Sequence, residues 1–269
     1  MSNNYQSDQE LKISKEFIDN GYVIKKINQE KSFTWINDKI LNISQKLLNI
    51  KKLPASFFDQ THQYLNLKNL NNFRMSIINE LNKSKKFKYH YYNIAREFMD
   101  LIVGNELAMQ KRINFSIQLP NDSSSLLPVH SDVWSGDSPY EVVVWLPLVD
   151  CYKTKSMFIL PPKANIKLNK NFDKFYGKSS ERIFNFIKKD IKWIKIDKGE
   201  LLIFNQALPH GNRINKEITT RWSMNCRFKS LFSPYGDKKI GEFFIPITTK
   251  VASKIGMQYQ SPVHIKNEK

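Results

Sequence analysis

The chain has 269 residues, 41% hydrophobic and 25% charged, with no run of 18 apolar residues; it is long enough to bury a sizeable core and carries no candidate transmembrane helix. Its start, Met1-Ser2-Asn3-Asn4-Tyr5-Gln6, lacks a basic segment leading into an apolar stretch, and Cys151 and Cys226 sit 75 residues apart among apolar neighbours, so the expectation is a cytoplasmic protein with no signal peptide and no disulfide framework. The formal net charge of +17 admits an anionic small-molecule substrate, nucleic acid or a membrane surface, but the lysines extend from Lys12 to Lys269 and their densest runs, Lys83 to Lys88 and Lys167 to Lys198, are interspersed with asparagine, aspartate and apolar residues, which favours a compositional origin, and no aromatic–basic stacking motif supports nucleic-acid binding.

Residues 1–10 read as disordered. Leu11 to Asn20 reads as a helix broken at Gly21, followed by a short strand at Tyr22-Val23-Ile24. Between Lys31 and Ile50 the apolar residues Phe33, Ile36, Ile40, Ile43 and Leu47 recur close to a helical period, and Leu70 to Leu81 and Tyr91 to Val103 repeat the signal. The pattern changes near residue 105. Arg112 to Leu119 alternates polar with apolar, Glu141 to Val149 is rich in valine, and Met157 to Leu160, Lys192 to Ile196, Leu201 to Phe204 and Thr219 to Phe228 follow as strands. Asn171 to Phe186 reads as an insertion with partial helix. Several short strands with mixed faces predict a mainly β fold: a double-stranded β-helix (jelly-roll, cupin-like) barrel with flanking N-terminal helices. The expected organisation is one domain over 1–269, with a helical part at 11–104 and a jelly-roll core at 105–235.

The chain contains five histidines. His130 and Asp132 form a His-x-Asp pair, and two residues apart on extended backbone they point the same way. His210 follows Asp132 by 78 residues, just after a strand. Two imidazoles and one carboxylate occupy one face of an octahedral iron(II) ion and leave three positions open, as a two-atom chelate plus dioxygen requires. His62 is a weaker candidate for a substrate or supporting contact, and His90 and His264 read as ordinary.

The strand Arg221-Trp222-Ser223-Met224-Asn225-Cys226-Arg227-Phe228 puts Arg221, Ser223, Asn225 and Arg227 on one face. Such a polar face is costly to bury unless it lines a cavity. The planar fork of Arg221 suits the distal carboxylate of 2-oxoglutarate, with the Ser223 hydroxyl beside it. Arg227 is a candidate for an anionic substrate group or a structural ion pair. Asn114, Ser116 and Gln118 share a second polar face, either surface-directed or lining the same cavity against the cosubstrate. Trp134 could cover the metal's mouth on a lid running to Pro139, a plain surface turn being the alternative.

Val129 to Trp134, Ser156 to Pro161, Gly199 to Phe204, His210-Gly211-Asn212 and Arg221 to Phe228 together resemble the iron(II)/2-oxoglutarate-dependent oxygenases. The likeness is to their phytanoyl-CoA hydroxylase-like branch and, within it, to bacterial oxygenases of carbohydrate and streptomycin-type biosynthesis. It covers roughly residues 105–235, with a looser likeness at Asp59 to Leu65 and Gly21-Tyr22. The resemblance implies that His130, Asp132 and His210 hold Fe(II), that Arg221 binds 2-oxoglutarate, and that O2 is the oxidant. It implies hydroxylation of a carbohydrate-related small molecule, with succinate and carbon dioxide released and no catalytic residue beyond the metal ligands. Asp132 stands where the related halogenases carry a small residue, which argues against chlorination. A lipid or acyl-thioester hydroxylase is the alternative within the family, and a non-catalytic cupin-like metal-binding protein is the alternative outside it.

Overall fold

The computed structural model describes residues 5–261. His264 lies outside them, as do residues 1–4 of the stretch expected to be disordered; the rest of that stretch is ordered around Ser7. Its hydroxyl accepts the Glu10 N–H at 3.2 Å, while the Glu10 carboxylate accepts the Ser7 N–H at 2.7 Å. This reciprocal cap starts the first helix three residues before the periodicity suggests.

The elements run α1 (Asp8–Asn20), β1 (Tyr22–Lys26), α2 (Glu30–Leu48), α3 (Phe57–Gln60), α4 (Leu67–Asn82), α5 (Lys85–Asn93), α6 (Arg96–Ile102), β2 (Leu107–Gln110), β3 (Asn114–Gln118), β4 (Glu141–Pro147), β5 (Phe158–Ile159), α7 (Pro162–Asn169), α8 (Ser180–Ile187), β6 (Lys192–Trp193), β7 (Glu200–Asn205), β8 (His210–Gly211), β9 (Arg221–Ser230), β10 (Phe244–Thr248) and α9 (Val251–Gln258). Gly21, with φ of 79°, lets the chain leave α1 in the left-handed conformation and enter β1 at once. No helix among the described residues is long and apolar enough to cross a membrane.

The larger sheet has the order β1-β7-β4-β9-β2-β10, with β3 also pairing β9. The ten-residue β9 is long enough to hold β3 along Arg221–Asn225 and β2 along Phe228–Ser230 on one side, and β4 on the other. Its alternation divides the molecule. Trp222, Met224, Cys226 and Phe228 are all buried on the helical side. There Trp222 meets Phe57, Phe58, Phe73 and Phe115 edge-on at 5.0–6.2 Å and donates its Nε1–H to Thr61 Oγ1 at 2.8 Å. Burying each such ring contributes about 1.5–3 kcal/mol, and this helix-backed face fixes which face β9 turns toward the site.

The jelly-roll expectation is overturned. The described chain is 42% helix and 20% strand, and its two sheets are open. The large sheet ends at β1 and β10, which do not pair, and the second sheet is only β6-β5-β8, two residues per strand. Proline is a physical reason. Leu160 after β5 still donates its N–H to the Pro209 carbonyl at 2.8 Å, but Pro161 and Pro162 follow it and Pro209 precedes β8, so the ladder lacks N–H donors beyond that bond and cannot extend. The chain after Pro161 turns into α7 and later α8, placing helix where a closed barrel would need strand. The fold is a mixed α/β arrangement, with no closed core over 105–235. The helix expected from Tyr91 to Val103 is likewise split between α5 and α6.

Candidate metal centre and its cavity

His130 lies outside any regular strand but bridges His210 of β8. Its N–H donates to the His210 carbonyl at 3.0 Å and its carbonyl accepts the His210 N–H at 2.8 Å. Flanking contacts hold the two segments together. Asn212 N–H donates to the Leu127 carbonyl at 2.9 Å, and Asn212 Oδ1 accepts the Leu127 N–H at 2.6 Å. Gly211 is required by closeness: a Cβ there would lie 2.7 Å from the Leu127 carbonyl oxygen. The motif His210-Gly211-Asn212 is thus a ligand, a close approach and a staple in succession.

The imidazoles sit with ring centroids 4.3 Å apart. His130 Nδ1 lies 2.8 Å from the Pro128 carbonyl and His210 Nδ1 2.9 Å from the Leu208 carbonyl. A carbonyl only accepts, so both rings carry the proton on Nδ1 and keep the Nε2 lone pair free. Extended Ser131 brings Asp132 onto the same side, with Asp132 Oδ1 3.4 Å from His130 Nε2. Ligand atoms of His130, Asp132 and His210 lie within 4.8 Å of one another. Burial, with His130 adjacent, pushes His210 down to about 4, so it is neutral near pH 7. Burial alone would raise the Asp132 carboxyl, but the Arg227 guanidinium beside it overcomes this and holds the group below the usual carboxylate range. Two imidazoles with Nε2 turned inward and one carboxylate fit a divalent metal such as iron(II).

A cavity of about 290 Å³ joins these ligands to the odd-numbered face of β9, and its lining includes Arg221, Ser223, Asn225 and Arg227. Arg221 is 3% exposed. Its Nη2 donates to Ser116 Oγ at 3.2 Å and Nη1 to the Ser156 carbonyl at 3.4 Å, while Nε has no partner and no carboxylate pairs with the group among the described residues. Burial pushes its pKa below the ordinary arginine range. A buried, unpaired guanidinium carries a large desolvation cost that a bound carboxylate would offset.

Asn114 lines the cavity and donates its Nδ2–H to Asn225 Oδ1 at 2.9 Å across the β3–β9 pair. Gln118 does not line it, although it faces Arg221 in the strand register. It is fully buried, its Nε2 donates to the Arg213 carbonyl at 2.8 Å, and its Oε1 has no partner. Trp134 is also absent from the lining. Asp132 to Ser135 is a tight three-residue-per-turn helix closed by Gly136, which turns the residue two beyond Asp132 in another direction. Its ring rests 4.9 Å from Phe172. His62 lies outside the lining too, its Nδ1 3.0 Å from Thr220 Oγ1.

Arg227 does not stand apart from the candidate metal ligands: its Nη2 is 2.9 Å from Asp132 Oδ2. Sequence reasoning missed Gln206, whose carbonyl accepts the Asp132 N–H at 3.1 Å, and the apolar wall of Val143, Trp145, Met157 and Phe204. The wall was recoverable from strand parity, since Val143 and Trp145 face Arg227 and Asn225 across β4–β9. Gln206 lies in a turn without periodicity and left no such signal.

No protein-family model matches the sequence, and no curated protein does. Among solved structures, the fold is similar to a non-haem monooxygenase, ThoJ, determined as a nickel complex. The TM-score is 0.56 at 14% identity, over 90% of this chain and 85% of that one. HygX from Streptomyces hygroscopicus, determined with nickel and 2-oxoglutarate bound, gives 0.51 at 12% identity, over 87% of this chain and 90% of that one. At these identities the likeness is one of fold.

Proposed function

We propose that the chain is a non-haem iron(II)- and 2-oxoglutarate-dependent oxygenase. The observation that carries this reading is the meeting, in one cavity, of three converging metal ligands with a buried guanidinium that has no carboxylate partner. The fold likeness to a protein holding nickel and 2-oxoglutarate supports it.

Iron(II) would be held by His130, His210 and Asp132, and there it would supply dioxygen activation coupled to conversion of 2-oxoglutarate to succinate and carbon dioxide. The chain's own residues place and shield that chemistry. Arg221, steadied by Ser116 and the Ser156 carbonyl, takes the distal carboxylate of 2-oxoglutarate, with Ser223 beside it. Val143, Trp145, Met157 and Phe204 form a dry wall along the cavity. Asn114, Ser125, Asn212 and Asn225 line the remainder with uncharged donors and acceptors. Because the nearby Arg227 is paired to Asp132, this lining suits a neutral, hydroxyl-bearing substrate, and a carbohydrate-related small molecule is the class we favour.

The test is succinate formation from 2-oxoglutarate in the presence of iron(II), ascorbate and dioxygen. Wild-type protein should turn over slowly even without a prime substrate, and His210→Ala should abolish turnover. Unchanged turnover in His210→Ala refutes the metal assignment. Absence of iron-dependent succinate from the wild type, with and without a panel of hydroxyl-rich substrates, favours a non-catalytic metal-binding protein.

A further inference from the structure

Resting on the metal reading above, we propose that Arg227 is a positioning residue that engages one oxygen of Asp132, so that the carboxylate offers a metal a single oxygen. The two oxygens of Asp132 face different neighbours. Oδ1 lies 3.4 Å from His130 Nε2, toward the converging lone pairs. Oδ2 lies 2.9 Å from Arg227 Nη2 and 3.3 Å from Arg227 Nε.

The clamp is itself fixed. Arg227 Nε also donates to Gln206 Oε1 at 2.8 Å. Gln206 is fully buried, and its Nε2 donates to Glu141 Oε2 at 2.8 Å and to the Ser138 carbonyl at 3.1 Å. The Gln206 carbonyl receives the Asp132 N–H, so one residue holds both the ligand's backbone and the arginine on its side chain. A second acid, Asp137, lies 3.9 Å from Arg227 Nη2 and is paired with Lys238 Nζ at 2.7 Å. An arginine so enclosed is poorly placed to anchor a substrate anion.

The consequence is a count of coordination positions. Three single-atom ligands leave three of six octahedral positions open, enough for a two-atom chelate and dioxygen. A carboxylate binding through both oxygens would leave two. By drawing Oδ2 away, Arg227 keeps the third position available.

The test uses cobalt(II) as a visible reporter on the full chain, with metal affinity, the cobalt absorption spectrum and its change on adding 2-oxoglutarate as readouts. Wild type should bind one cobalt per chain and respond to 2-oxoglutarate. Arg227→Gln should bind cobalt ~10- to 100-fold more weakly, with an altered spectrum and a diminished 2-oxoglutarate response. Arg227→Lys keeps the charge without the fork; it should keep the wild-type thermal midpoint yet still show the altered spectrum. Wild-type affinity and spectrum in either variant overturn the proposal, as does a loss in Arg227→Gln that Arg227→Lys fully repairs. If the Arg227 variants do not fold, Gln206→Met leaves the arginine in place, removes the acceptor at its Nε together with the donor to Glu141 and Ser138, and should shift the spectrum the same way; an unchanged spectrum there is equally fatal. A wild type that binds no cobalt removes the metal reading and this inference together, whereas binding without sensitivity to residue 227 removes this inference alone.

Discussion

His130 and His210 exchange backbone hydrogen bonds, N–H to carbonyl in both directions at 3.0 and 2.8 Å. The two imidazoles therefore leave a single antiparallel bridge, and the distance between the candidate ligands is set by main chain rather than by side-chain packing. Each ring then bonds the carbonyl two residues before it, Pro128 or Leu208, which fixes tautomer and tilt together.

Gly211→Ala should damage this bridge without removing a ligand. The added methyl would lie 2.7 Å from the Leu127 carbonyl oxygen and 3.0 Å from that of Pro128. Backbone must shift, at a cost of ~1–3 kcal/mol. Thermal unfolding and a cobalt titration should both show a loss; an unchanged midpoint and affinity would mean that the two segments can part freely.

Arg221→Ala should raise the 2-oxoglutarate requirement with little change in metal affinity. Hydrogen bonds to a charged group are worth ~1.5–3 kcal/mol, so the apparent KM should rise at least ~10-fold. Arg221→Lys should recover only part, because one ammonium cannot reproduce two parallel bonds. Titration of succinate production against 2-oxoglutarate checks this, and an unshifted KM in Arg221→Ala would remove the residue from cosubstrate binding.

Metal-free protein should lose stability as pH falls from 7 to 4. Burial and the adjacent His130 push His210 from an ordinary 6.5 to about 4 in the folded state. Between those values the unfolded chain takes up a proton that the folded chain refuses, so stability is full above 6.5 and declines toward 4. Urea unfolding along this range should show the decline, and His210→Gln should flatten it. An equal slope in wild type and variant would assign the effect elsewhere.

Thr61→Val should destabilise without altering the cavity. It removes the acceptor of the Trp222 Nε1–H and leaves that buried donor unpaired, at a cost of ~1–3 kcal/mol. Trp222 lies on the helical face of β9, so turnover per folded molecule should stay at the wild-type value. A lowered turnover at full folding would show that the two faces communicate.

What the sequence makes legible here follows the range of the interactions. The parity of Arg221 to Phe228 is local, and the structure puts the odd residues in the cavity and the even ones in the core. His130, Asp132 and His210 are readable as ligand types at workable positions, and the structure brings them together. The predicted closed barrel fails because each short strand is legible alone while its pairing length is not. The prolines at 161, 162 and 209 were the available sign that the small sheet stops short. The helix at Ser180–Ile187 reads in the sequence only as part of an insertion, and β2 and β10, at four and five residues, carry too little pattern to stand out. The setting of Arg227 was least accessible, since it depends on Gln206, Asp137 and Lys238 arriving from three separate turns.

The two-sided character of β9 bears on how such a protein can change over time. Point substitutions at its odd positions would retune the chemistry while the packing beneath stays as it is, and the even positions offer the reverse. A single inserted residue between Arg221 and Arg227 is a different event. It would exchange the faces beyond the insertion, carrying guanidinium and amide groups into the aromatic core and turning core residues toward the cavity. Variation at this strand is therefore open to replacement and closed to changes of length, a constraint that would leave its mark as an ungapped decapeptide in any set of functional descendants.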